Sequence, residues 1–202
     1  MSADLLVLAT RNQGKLHELA RILGHQIRLA GLDAFPGAPD VPETGATFEA
    51  NALLKARAVA TYTKLPTVAD DSGLCVDALN GMPGVLSARW AGQHGDDQAN
   101  LDLLLAQVAD VPDARLGARF VCAAALVVPA DGVPAEWVVT GQVEGRLIRA
   151  PKGTGGFGYD PIFQPDGFTE TTAEMTADAK DAISHRGRAF RALAPYIQGR
   201  LT

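Results

Sequence analysis

The sequence predicts an α/β fold, and three stretches carry that reading. Residues 5–9 form an unbroken apolar run of strand length, and after a short polar stretch Leu16, Leu19, Ala20 and Leu23 follow at helical spacing. Residues 67–73, T-V-A-D-D-S-G, read as a short strand running out into a glycine turn. Such a strand end carries side chains to the rim of a sheet, where open α/β folds bind their ligands. Residues 118–128 and 135–148 are rich in Val, Ala, Phe and Leu, with Pro129-Ala130-Asp131-Gly132 between them, and read as a long antiparallel hairpin.

Composition narrows the function classes. A chain of 202 residues with 47% apolar and 20% charged residues has enough apolar side chains for one sizeable core, and no linker or repeat divides it, so residues 1–202 are read as one domain. The net charge of −5, with no block of Lys and Arg, argues against a nucleic-acid partner but leaves room for a small anion. No segment reaches the roughly 18 apolar residues of a membrane span, and the N-terminal stretch lacks a basic leader, so a cytoplasmic location away from membranes is expected. Cys75 and Cys122 lie in apolar runs with no metal-ligand spacing and are expected to be buried thiols.

Taken in order, the first strand leads into Thr10-Arg11-Asn12-Gln13-Gly14-Lys15 at a helix N-terminus. Free backbone N–H groups, the helix dipole and Lys15 make this a natural phosphate site, although the Walker A pattern is missing and a solvated lysine is the plainer alternative. Residues 33–46 hold three prolines and two glycines and read as a long loop ending near Glu43. Glu43 is either a carboxylate for a cation or a favourable charge before the helix that runs from about 47 to 62. On that helix Asn51 and Lys55 sit within or beside the apolar stripe of Phe48, Ala52 and Val59. Lys55 there either snorkels along the core or points into a polar cleft.

Asp70 and Asp71 are the chemical centre of the reading. Paired carboxylates can hold Mg²⁺ through oxygen, and one can take a proton from water; the bland alternative is a turn. Residues 74–79 are expected to return as a strand closed by Asn80-Gly81, residues 82–92 to form a Gly- and Pro-rich loop, and residues 96–108 an amphipathic helix of purely structural use. Residues 151–161, P-K-G-T-G-G-F-G-Y-D-P, read as a binding loop in which Phe157 and Tyr159 offer flat faces to a base. Residues 173–198 read as a short helical turn and a final helix capped by Ser184. Lys180, His185, Arg186 and Arg188 gather donors where a helix N-terminus disfavours cations, which points to an acceptor-rich ligand.

Seven blocks occur together and in order: Thr10-x-Asn12-x-x-Lys15-x-x-Glu18, Glu43-Thr44-Gly45, Asn51-x-x-x-Lys55-Ala56, Ala69-Asp70-Asp71-Ser72-Gly73-Leu74, Pro83-Gly84-x-x-Ser87-Ala88-Arg89, Gly155-Gly156-Phe157-Gly158-Tyr159-Asp160-Pro161 and Ser184-His185-Arg186-Gly187. In this the chain resembles the Ham1/RdgB inosine triphosphate pyrophosphatases along nearly its whole length. The resemblance implies an elongated mixed α/β fold with a long central sheet flanked by helices, and two lobes with an active-site cleft between them. It implies hydrolysis of ITP, dITP and XTP to the monophosphate and pyrophosphate, with Mg²⁺, by a homodimer. Residue by residue, it makes Asp71 the proton acceptor, with Asp71, Asp70 and Glu43 at the metal. Thr10, Arg11, Asn12, Gln13, Gly14, Lys15 and Lys55 would grip the triphosphate and Ser72 would contact substrate. Phe157, Gly158, Tyr159, Asp160, Lys180, His185 and Arg186 would hold the base. Alternatives are a Maf-type nucleotide pyrophosphatase, against which the Gly-Gly-Phe-Gly-Tyr-Asp and Ser-His-Arg blocks speak; an aspartyl-phosphate phosphatase, for which Asp-x-Asp spacing is lacking; and a nucleotide-binding module without turnover.

Overall fold

A computed structural model describes residues 5–11, 13–23 and 27–201; Asn12, expected at the phosphates, lies outside the described residues. In chain order the elements are β1 (Leu5–Leu8), α1 (Gln13–Leu23), β2 (Arg28–Ala30), α2 (Phe48–Thr63), β3 (Thr67–Val76), α3 (Asp97–Gln107), β4 (Gly117–Val128), β5 (Ala135–Leu147), β6 (Phe163–Pro165), α4 (Ala177–Ile183) and α5 (His185–Leu201). The strands form one sheet in the order β2-β1-β3-β4-β5-β6. It is mixed, since β1 pairs in parallel with β2 and β3 while β5 pairs antiparallel with β6.

The chain packs as two compact units, each with its own core. The first comprises residues up to Asp71, residues 122–141 and the chain from Arg186 on. In it Leu6, Leu8 and Val68 of the sheet meet Leu19 and Leu23 of α1 and Phe190, Leu193 and Ile197 of α5. A smaller cluster in the same unit joins Val7, Leu32, Ala38 and Val59, the last from α2. The second unit comprises residues 72–121 and 142–185. There Leu74 and Val76 pack with Leu101, Leu104, Phe120, Leu147, Tyr159, Ile162 and Phe163. Both cysteines are buried free thiols, as their apolar surroundings predict.

The helices follow local signals. Thr47 caps α2 by accepting the Ala50 N–H at 3.1 Å, and Lys64 ends it in the left-handed region at φ 58. Asp96 caps α3 in the same way.

One sequence-based expectation is overturned. Asp70-Asp71-Ser72-Gly73 is not a turn at the end of a strand: β3 runs unbroken through all four to Val76, and residues 77–79 form a short 3-10 turn instead of extending a return strand. Gly73 does not take positive φ, so nothing in it forces the chain to bend. The carboxylates are accepted inside the strand because charged and polar partners reach them from far along the chain, and turn propensity is a local preference that such partners override. The strands β2 and β6, three residues each, were not foreseen.

Candidate active site

In an extended strand successive side chains leave on opposite faces, and this decides what the two aspartates do. Val68 packs with α1 and α5, so Asp70, two residues on, shares that face. Its Oδ2 accepts from Lys15 Nζ of α1 at 3.1 Å and from Arg186 Nε of α5 at 3.2 Å. Burial alone would push the Asp70 carboxyl up, but the charges of Lys15, Arg186 and Lys55 outweigh it and hold the group well below the usual carboxylate range.

Asp71 faces α2. Asn51, fully buried, donates from Nδ2 to Asp71 Oδ2 at 2.9 Å and accepts the Gly45 N–H on Oδ1 at 2.7 Å. Gly45 is required for that approach, because a Cβ there would stand 2.7 Å from Asn51 Oδ1. One helical turn on, Lys55 Nζ donates to Glu43 Oε1 at 2.5 Å and lies 4.0 Å from Asp71 Oδ1. The inward-facing lysine therefore serves carboxylates rather than snorkelling. Burial, foremost, pushes the Asp71 carboxyl up to about 6; Lys55 and the Asn51 hydrogen bond resist, while Glu43 and Asp70 add to the rise. Lys55 is itself raised, since Asp70, Glu43 and Asp71 together outweigh the lowering by burial. The two shifts are consistent: an ammonium beside three carboxylates is strongly held, yet its charge does not offset the burial of Asp71.

The donor set fits Mg²⁺. Glu43 and Asp71 both lie beside the Lys55 ammonium, so the space between them favours positive charge, and the donors are hard carboxylate oxygens. Among the described residues no group of three His, Cys, Asp or Glu side chains converges as a cage. Asp70, expected as a third ligand, has Oδ2 engaged by two cations.

The phosphate-loop residues are placed in part. α1 begins at Gln13, so the N–H groups of its first turn lack intrahelical partners. Arg11 Nη2 donates to the Ala38 carbonyl at 3.1 Å and Gln13 Nε2 to Asp33 Oδ2, so these two side chains moor the loop to the segment at residues 33–38. Lys15 is the partly exposed cation beside it.

In the second unit, the glycine segment closes on itself. Asp160, 3% exposed, accepts the Phe157 N–H at 2.8 Å and Lys180 Nζ at 2.5 Å on Oδ2, and Thr172 Oγ1–H at 2.7 Å on Oδ1. The Asp97 carboxylate accepts the Gly158 N–H at 2.9 Å, so α3, read as structural, helps hold this segment. Phe157 is 55% exposed and Lys180 Nζ lies 5.2 Å from its ring centroid. Tyr159 is instead a core residue whose hydroxyl donates to the Ser87 carbonyl at 2.9 Å, so of the two aromatics Phe157 is the exposed one. His185 stacks on Phe120, ring centroids 4.9 Å apart and 12° from parallel. Ser72 follows Asp71 in β3 and is half-buried.

Sequence reasoning left Asn51, Asp97 and Thr172 out of the candidate site. Asn51 carried a signal, a polar residue on the apolar stripe of α2; the other two did not.

The model of the Ham1 family matches residues 6–196. A dITP/XTP pyrophosphatase of Streptomyces coelicolor is 65% identical over 196 residues, covering 96% of each chain. The crystal structure of a nucleoside-triphosphatase / dITP/XTP pyrophosphatase from Mycobacterium abscessus has a TM-score of 0.78 at 56% identity, covering 95% of this chain and 99% of that one. A HAM1 protein structure from Coxiella burnetii has a TM-score of 0.88 at 40% identity, with coverage of 98% and 100%. On a match of this extent in sequence and in structure, the chain belongs to the Ham1 family.

Proposed function

We propose that the protein hydrolyses the non-canonical purine nucleoside triphosphates ITP, dITP and XTP to the monophosphate and pyrophosphate, with Mg²⁺, clearing them from the nucleotide pool. The observation that carries this reading is Asp71: a buried carboxyl that accepts from Asn51 at 2.9 Å and lies 4.0 Å from the Lys55 ammonium it shares with Glu43, on a strand whose other face gathers Lys15 and Arg186. A carboxylate held there can take the proton of an attacking water. The names of the relatives support the substrate class.

In this mechanism Glu43 and Asp71 would hold the metal, which would supply neutralisation of charge on the phosphates. Asp71 takes the proton of a water attacking the α-phosphorus in line. Asn51 orients Asp71 through its Oδ2, and Lys55 and Lys15 turn their ammonium groups to phosphate oxygens, helped by the N–H groups at the start of α1. Asp70 stays ionised as the counter-charge that sets Lys15 and Arg186. Phe157 stacks on the base, Lys180 donates to its 6-oxygen, and Ser72 contacts the substrate. A homodimer in the cytoplasm is part of the same proposal; no helix among the described residues is long and apolar enough to cross a membrane.

Preference follows from donors. Inosine and xanthine present an acceptor at position 6 where adenine presents an amino donor, and a lysine can only donate. Initial rates with ITP, dITP and XTP are expected to exceed the rate with ATP by about a hundredfold at equal Mg²⁺; comparable rates would contradict the reading. Lys180→Ala is expected to lower kcat/KM for ITP about tenfold or more while leaving that for ATP nearly unchanged. Equal losses on both substrates would remove Lys180 from base selection.

A further inference from the structure

The Phe157 backbone N–H and the Lys180 ammonium come from different elements, a loop and the seven-residue helix α4, yet both donate to one carboxylate oxygen, Asp160 Oδ2. Rotation of the carboxylate about its Cβ–Cγ bond would move both oxygens, so a donor on Oδ1 adds to the hold that the other two exert on Oδ2. That donor is the Thr172 hydroxyl, at 2.7 Å from Oδ1 and itself only 5% exposed. We propose that Thr172 is a positioning residue for nucleobase recognition, acting through Asp160 to fix Lys180 and the Phe157 turn.

Thr172 is well placed to be the fixed point. Its N–H donates to the Phe163 carbonyl of β6 at 3.0 Å. Its neighbours strap the front of the same loop: Thr171 Oγ1 donates to the Lys152 carbonyl at 2.9 Å, and Ala173 accepts the Gly155 N–H at 2.9 Å. Contact is close enough that a Cβ on Gly155 would stand 2.9 Å from the Ala173 carbonyl oxygen, and one on Gly156 would collide with the Asp160 carboxylate. Residues 171–173 thus form a rigid strip against which the glycine loop is laid, and Thr172 is its one side chain that reaches the Asp160 carboxylate. A helix as short as α4 is marginal alone, so Lys180 depends on its anchor for direction.

The inference rests on the proposed ITP hydrolysis and adds a residue that does not touch substrate. Its test compares Thr172→Val, which keeps the shape and removes the donor, with Thr172→Ser, which keeps the donor. Kinetics with ITP and ATP, equilibrium binding of IMP, and thermal melting are measured for both and for the wild type. The valine variant is expected to raise KM for ITP and Kd for IMP by about tenfold, with kcat within about twofold, narrowing the ITP-to-ATP preference. The serine variant is expected to restore wild-type values. If the wild type hydrolyses ITP and the valine variant matches it in KM and preference, Thr172 has no positioning role. A valine variant that loses kcat along with melting temperature, without rescue by serine, is merely structural, and that overturns the inference as well. Neither hydrolysis nor IMP binding by the wild type would overturn the functional reading and the inference together.

Discussion

Asp71→Asn is expected to lose about a thousandfold or more in kcat and, in metal-free buffer at pH 8, to be more stable than the wild type. The loss follows from removing the base with almost no change in volume. The gain follows from linkage. A carboxyl raised from its ordinary 3.8 to about 6 binds its proton more tightly in the folded chain than in the unfolded one. Folding is therefore favoured as pH falls from about 6 to about 4, and above 6 the ionised form carries a constant penalty of roughly 3 kcal/mol. Asparagine carries no such penalty and can still accept the Asn51 hydrogen bond. Its advantage, read as a difference in melting temperature with a chelator present, is expected to be full at pH 7–8 and to vanish near pH 4. A variant less stable than the wild type at pH 8 would show that Asp71 is well compensated and not poised as a base.

Asp70→Asn is expected to go the other way. The two aspartates are neighbours in β3, but the strand turns Asp70 to Lys15 and Arg186. Removing a charge from a buried, hydrogen-bonded ion cluster costs about 3–5 kcal/mol, equivalent to a fall of about 10 °C in melting temperature for a chain of this length. The sign with pH is also reversed. A carboxyl held below its ordinary range contributes stability that is present above about pH 4 and lost only as pH falls through its folded value. The gap between wild type and Asp70→Asn is thus expected to be constant from pH 5 to 8 and to close in acid. A variant that melts with the wild type would mean that Asp70 is not the structural counter-ion described here.

That contrast also shows where sequence reading stops. The passage from β1 to α1, the course of α2 and the β4–β5 pair were legible because apolar residues recur with the period of each element and the residues between them are turn formers. The inward-facing, half-buried lysine on α2 was legible for the same reason, as a cation on the wrong face. β3 was misread because Asp, Ser and Gly favour turns, whereas the partners that keep Asp70 in a strand lie 55 and 116 residues away. Phe157 and Tyr159 look alike in sequence, two residues apart in a glycine-rich loop; only packing decides that one is exposed and the other fills the core with its hydroxyl on Ser87. Asp160 could be seen as important, but its holder Thr172 carries no local mark, and neither does Asp97 at the head of an ordinary amphipathic helix.

The central claim is that this chain breaks the bond between the α- and β-phosphates by bringing water to the α-phosphorus. The measurement that tests it most directly is product analysis after incubating ITP with the protein and Mg²⁺ in water carrying heavy oxygen. The expected result is IMP bearing one labelled oxygen and unlabelled pyrophosphate, absent with Asp71→Asn. Orthophosphate as the product, or label in the pyrophosphate, would contradict it.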